Sequence, residues 1–229
     1  MVKFDINDGI RQVWEKDLPA GVKYHCNKHV TDSMLACRHH DGSDPTTVML
    51  DGDLRHINSH TGDYGDLCAA LPGGRLLYVK EISEDNYSVS IYQLPQHKLV
   101  TTLSRPGQPY RWYGISACCD PHSQWLAVTD GGSRTLDIYN HQYQHQSHIQ
   151  LGYQPGYING VACVKDYIVV VDSPKLHVYS WLGEELCVWS RQQLGIDEGD
   201  YIRGIHGSHQ HRLVLAAGKF GVVKSLHLY

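Results

Sequence analysis

An all-β chain, folded as a five-bladed β-propeller of four-stranded blades with the last blade closed by the N-terminal strand, is what this sequence predicts. The prediction rests on a repeat with a period of 40 to 50 residues, on one short continuous apolar run per repeat, and on the complementary character of the two chain ends. In each unit a short apolar strand, a turn, a second strand rich in Leu, Val and Ala, a loop with Asp, Gly or Ser, and a third strand ending in an aliphatic-Tyr pair follow in order. Ile91-Tyr92, Ile138-Tyr139, Val178-Tyr179 and Leu228-Tyr229 are four such endings, and Met49-Leu50 takes the same place in the first unit. The endings at 50, 92, 139, 179 and 229 are spaced by 42, 47, 40 and 50 residues. A unit of that size cannot bury both faces of its own sheet, so it needs neighbours on each side.

The second strands read Ser33–Ala36, Arg75–Val79, Trp125–Val128, Tyr167–Val171 and Arg212–Ala216. Runs this apolar mean strands covered on both faces, and no helical period competes with them. Fourth strands are expected at Asp53–Ile57, Lys98–Thr102, Ser147–Leu151 and Glu185–Trp189, and the last unit has none before the chain stops. Gly9–Glu15 has the matching pattern and would complete it, which removes a long exposed edge. The expected blades are therefore 20–60, 61–105, 106–153, 154–195 and 196–229 plus 8–16, all in one domain of 229 residues.

Composition narrows the classes further. Hydrophobic residues make up 41% and charged residues 19% of the chain, as in globular proteins, and no apolar run reaches the length of a membrane span. A membrane partner is not expected. Seven Cys cannot all pair within one chain, and none has Cys-x-x-Cys spacing, so reduced thiols in a cytoplasmic setting are expected. With Lys+Arg 20 against Asp+Glu 24 the net charge is −4, which opposes whole-molecule attraction to nucleic acid. Protonating about half of the 16 His would carry that charge to about +4, although exposed strand and loop histidines with no switching role are the favoured account of the number.

The stretches Tyr113-Gly114-Ile115-Ser116-Ala117-Cys118-Cys119-Asp120-Pro121 to Asp137-Ile138-Tyr139, and Gly160-Val161-Ala162 to Val171-Asp172 and His177-Val178-Tyr179, resemble NHL repeats. WD repeats are a looser resemblance, without their Trp-Asp dipeptide. Blades three and four carry the likeness best, and blade five carries it through Gly204-Ile205 and Leu228-Tyr229. The resemblance implies a propeller whose first strands line a central channel, with the loops entering them at the channel mouth.

Aromatic residues sit at or beside those entries: Tyr24, Tyr64, Tyr110 with Trp112 and Tyr113, Tyr157, and Tyr201, with Arg111 and Arg203 among them. Rings and guanidiniums gathered at one opening suit stacking, cation binding or anchoring a peptide. The competing account is that these rings pack between blades as wedges. The function expected is a non-catalytic recognition module for a peptide or protein partner at the aromatic mouth. A lectin-like or RNA-binding role, with carbohydrate or RNA as partner, is the alternative within binding. A metal-assisted hydrolase with its site in the channel is the enzyme alternative.

No cofactor is expected, and no metal site. Cys26, Cys68, Cys118, Cys119 and Cys163 recur in first strands, where small apolar side chains suit the crowding at the axis. His141, His145 and His148 are expected in a connection between third and fourth strands, and His209 and His211 in a turn. His206 is the histidine whose first-strand position makes it the candidate for a ligand or base. Asp120, Asp130 and Asp172 follow strand ends and are expected to hold turns by accepting backbone hydrogens.

Overall fold

Leu76-Leu77-Tyr78-Val79 and Ile168-Val169-Val170-Val171 are fully or almost fully buried, so both faces of these strands are covered. Extended β-branched and aromatic runs of this kind form central strands, bounded by Gly, Asp, Asn and Ser at the turns. The computed structural model describes the backbone of residues 2–5, 11–15, 23–31, 34–40, 46–51, 56–62, 64–107, 109–111, 115–152, 158–164, 166–172, 175–196, 202–207, 212–217 and 222–227. It describes the side chains of 46–49, 57–62, 64–107, 109–111, 115–152, 160–164, 166–172, 175–196, 202, 205 and 207.

Two compact units divide the chain at residues 67 and 68. In the first, β1 (Val2–Asp5) and β2 (Arg11–Glu15) form an antiparallel hairpin. β3 (Lys23–Thr31), β4 (Met34–His40), β5 (Thr46–Asp51) and β6 (His56–Thr61) form the first four-stranded sheet, in chain order. The segment expected to complete the last sheet thus includes β2, whose partner is β1, and the expected fourth strand at 53–57 is displaced to His56–Thr61. The register sets this shift. Leu50 pairs with His56, so the connection takes residues 52–55, which are not described.

The second unit begins within β7 (Asp66–Leu71), which with β8 (Arg75–Ser83), β9 (Asn86–Gln93) and β10 (Lys98–Thr102) makes the second sheet. The third sheet is β11 (Ser116–Cys119), β12 (Leu126–Asp130), β13 (Thr135–Tyr139) and β14 (His145–Gln150). The fourth is β15 (Ile158–Val164), β16 (Tyr167–Asp172), β17 (Lys175–Ser180) and β18 (Glu185–Ser190). β19 (Ile202–Gly207), β20 (Arg212–Ala217) and β21 (Val222–His227) form a three-stranded sheet. Every sheet is an antiparallel meander of sequential neighbours.

Consecutive sheets of this unit meet face to face. Leu77, Val79 and Ile91 of the second sheet pack with Leu126, Val128 and Tyr139 of the third. Ala127, Leu136 and Ile138 of the third pack with Val161, Ile168 and Val170 of the fourth, whose other face meets Leu194, Ile196 and Ile202. First strands are neighbours too: Cys68 Sγ donates to the Ile115 carbonyl at 3.3 Å, and a Cβ on Gly160 would lie 3.0 Å from Ile205 Cγ2. Close approach of first strands is the physical reason for small residues along them.

A register shift recurs at one place in four sheets. Where each third strand carries its aliphatic-Tyr pair, or Met49-Leu50, the fourth strand inserts one extra residue: Ile57, Val100, Gln146 and Leu186. The inserted residue is turned outward, which accounts for the exposure of Ile57, Val100 and Leu186. The same shift corrects one expectation from the sequence. His145 lies on β14 with His148, which the fourth strand expected at Ser147–Leu151 already contained, and His141 alone of the three is in the preceding turn.

Candidate recognition surface at the entry to the third sheet

The loop from Leu103 to Arg111 leads from β10 into the third sheet, and a buried arginine organises it. Arg105 has a side chain 3% exposed, and its guanidinium meets the fully buried carboxylates of Asp130 at 2.8 Å and Asp137 at 3.1 Å. It also donates to Thr135 Oγ1 at 2.9 Å and to the Pro109 carbonyl, and it stacks on Tyr110 at 4.3 Å from the ring centre. Burial opposes its charge, but the hydrogen bond to Asp137 and the field of Asp130 and Asp137 outweigh it, so its pKa lies above the ordinary value. Arg105 stays charged throughout the accessible pH range.

Asp130 closes the turn after β12 while serving that loop. Its Oδ1 accepts from the backbone of Gly132 and Ser133, and its Oδ2 accepts the Arg111 backbone N–H at 2.8 Å. Asp120 does the equivalent work one turn earlier, accepting from the backbone of His122 and Ser123 and from the Ser123 hydroxyl. Burial pushes Asp120 up, yet those three hydrogen bonds hold its carboxyl below the usual range. Both carboxylates therefore hold turns, as their positions after strand ends predict. The turn after Asp172 lies outside the described residues.

Among the aromatic positions, Tyr110 is not presented to solvent. It is 3% exposed, packs within the core shared by the second and third sheets, pairs in a β-bridge with Tyr87, and has its hydroxyl against that of Tyr139. One face is taken by Arg105, so this ring acts as a wedge between sheets, the competing account given above. Burial, and then the neighbouring Tyr139 and Asp137, raise its pKa well above that of a free phenol. Arg111, one residue on, is exposed, with its backbone fixed by Asp130. Tyr64 is half-buried ahead of β7, its ring so close over Gly62 that a Cβ there would lie 2.8 Å from Tyr64 Cε2.

The side chains of Tyr24, Trp112, Tyr113, Tyr157, Tyr201, Arg203 and His206 lie outside the described residues. Arg203 and His206 have described backbone in β19, where His206 pairs with Val214. His209 and His211 are not described.

Cys118, Cys119 and Cys163 have the character of packing groups. Burial pushes the thiols of Cys119 and Cys163 up to about 12, helped by the Asp120 charge, and burial raises that of Cys118 well above the ordinary value. At pH 8 a thiol of pKa about 12 is ~0.01% thiolate, too little for a nucleophile or a ready metal ligand. Iodoacetamide at pH 8 is accordingly expected to modify exposed Cys187 well ahead of Cys118, Cys119 and Cys163. Peptide mapping by mass spectrometry checks the order, and equal labelling of Cys119 would show that the inner strands open in solution.

Arg105 was not legible as a site residue. Its signal was the acid inside the apolar run Leu136-Asp137-Ile138, since a carboxylate on a strand buried along its length requires a buried partner.

No protein-family model and no curated protein matches this sequence. Solved structures do. KlHsv2 with loop 6CD replaced by a Gly-Ser linker aligns over 98% of this chain and 69% of its own, with a TM-score of 0.61 and 11% identity. Hsv2 of Kluyvelomyces marxianus aligns over 94% of this chain and 70% of its own, with a TM-score of 0.61 and 13% identity. The fold is that of a β-propeller. The four-stranded antiparallel sheets and, within the second unit, their face-to-face cores agree with that fold. Among the described residues no helix is long and apolar enough to cross a membrane.

Proposed function

We propose that this propeller is a non-catalytic recognition module that takes a peptide or protein partner at an aromatic-lined channel mouth. Five NHL-like blades would bring the mouth residues Tyr24, Tyr64, Arg111, Trp112, Tyr157, Tyr201 and Arg203 around one opening. The observation that carries the reading is Arg111. The entry loop spends Arg105, Asp130 and Tyr110 on holding itself in place, and that scaffold displays an exposed guanidinium immediately before Trp112 and Tyr113. A fixed backbone with an exposed cation, followed in sequence by Trp112 and Tyr113, suits a carboxylate- or aromatic-bearing peptide, because little ordering cost remains to be met on binding.

Arrays of peptides, glycans and RNA probed with the purified protein test this. Peptide ligands are expected to bind, and Arg111→Ala and Trp112→Ala to weaken them at least tenfold. Arg111→Ala is expected to leave the melting temperature within about 1 °C, since an exposed side chain is removed. Capture of glycans or RNA without peptides would overturn the choice of partner, with a steep loss of RNA binding in salt marking a phosphate-led contact. Peptide binding that ignores both substitutions would remove the mouth as its location.

A further inference from the structure

We propose that Asp137, His145 and His148 form a binding site for a first-row divalent cation of the zinc type on the outer half of the third blade. Asp137 Oδ1 lies 2.9 Å from His145 Nε2 and 2.8 Å from His148 Nδ1, and all three donor atoms fall within 4.8 Å of one another. Two imidazoles and one carboxylate match the donors zinc, cobalt and nickel ions prefer. At metal–ligand bonds of about 2.0–2.2 Å, tetrahedral donors stand roughly 3.3 Å apart, so spreading by about half an ångström admits the ion.

The backbone assembles this set through its bulge. Residues three apart on a regular strand face opposite sides. The extra residue Gln146 sets His145 across from Tyr139 and His148 across from Asp137, so both imidazoles share a face with the carboxylate. Two of the three ligands are also positioned from behind. Arg105 holds Asp137 Oδ2 at 3.1 Å and leaves Oδ1 to the imidazoles, and the His145 ring stands edge-on to Tyr139 at 5.3 Å. Charge favours a cation, because Asp130 and Asp137 together exceed Arg105 by one negative charge in a buried network. His148, with 43% of its side chain exposed, leaves a side open to water for entry and for further coordination.

The fourth blade supplies an internal comparison. At the positions of Asp137 and His145 it carries the exchanged pair His177 and Glu185, joined at 2.7 Å, and at the position of His148 it carries Val188. A carboxylate–imidazole pair is thus sufficient to tie third and fourth strands together. His148 is the addition that turns a pair into a three-donor set, and it is the residue whose removal separates a metal site from a strand fastening.

The full chain, freed of metal by chelation and titrated with Co²⁺, is expected to develop visible absorption of four- or five-coordinate cobalt at one ion per chain, displaced by Zn²⁺. His148→Ala should weaken that site at least tenfold, and exposed His141→Ala should not change it. X-ray absorption on the wild-type protein loaded with one equivalent of Zn²⁺ is expected to show two imidazole nitrogens and a carboxylate oxygen, and it needs no variant to fold. Identical cobalt spectra and affinities in wild-type and His148→Ala, or a zinc shell with fewer than two imidazoles, would overturn the proposal.

Discussion

Arg105→Ala is expected to lower the thermal midpoint by about 10 °C. The substitution leaves Asp130 and Asp137 without their shared cation, and both carboxylates are fully buried. Breaking a buried ion pair by removing one partner costs about 3–5 kcal/mol, because the remaining charge is neither solvated nor compensated. In a unit of this size each kcal/mol shifts the midpoint by about 2–4 °C. Arg105→Lys should recover only part of the loss, since an ammonium cannot bridge Asp130, Asp137 and Thr135 with one planar fork. Adding Asp137→Asn to Arg105→Ala should recover part as well, by removing one of the two orphaned charges. Calorimetric unfolding of the three variants checks the scheme. A loss below about 1 kcal/mol for Arg105→Ala would mean that water reaches both carboxylates and that the entry loop is not held as described.

Gly207→Ala is the second large effect. A Cβ at this position in β19 would run into the carbonyl oxygen of Cys163 and lie 2.8 Å from the carbonyl carbon and 2.9 Å from Val164 Cγ2. The obstacle is backbone of a paired strand, so no rotamer change relieves it and β15 and β19 must separate. Overpacking costs about 1–3 kcal/mol where side chains can yield, and Gly207→Ala should reach or exceed the top of that range. Gly152→Ala, where nothing lies within 4 Å of the added atom, is the control and should stay within about 0.5 kcal/mol. Denaturant unfolding gives the energies, and amide exchange should rise selectively in β15 and β19. Equal stability of the two variants would show that the inner strands of the last blades are farther apart in solution.

The architecture was readable because burial on both faces leaves a plain mark. Arg75–Val79, Tyr167–Val171 and Arg212–Ala216 all fall within second strands, and Lys98–Thr102 is β10 to the residue. What periodicity could not supply is any change of period. The inserted residues Ile57, Val100, Gln146 and Leu186 look like ordinary members of alternating strands, yet each reverses the sense of inside and outside for what precedes it. His145 and His148 therefore read as a histidine cluster in a loop, with no sign of the strand carboxylate they share. Tyr110 and Arg111 failed to separate for a different reason. Adjacent residues in an entry loop carry no periodic signal, and only the Arg105 network decides that the ring turns inward and the guanidinium outward.

The recurring slip in β6, β10, β14 and β18 bears on how these molecules keep apart. Each of those strands is last in its sheet, with one side unpaired by any further strand of the same sheet. An even row of free amides and carbonyls there would recruit strands from other copies of the chain. A bulge within each such row breaks its repeat distance, so an incoming strand loses alignment after a few residues. The interruption falls where the aliphatic side chains of Ile57, Val100 and Leu186 face water, the places at which an even edge would invite another strand most.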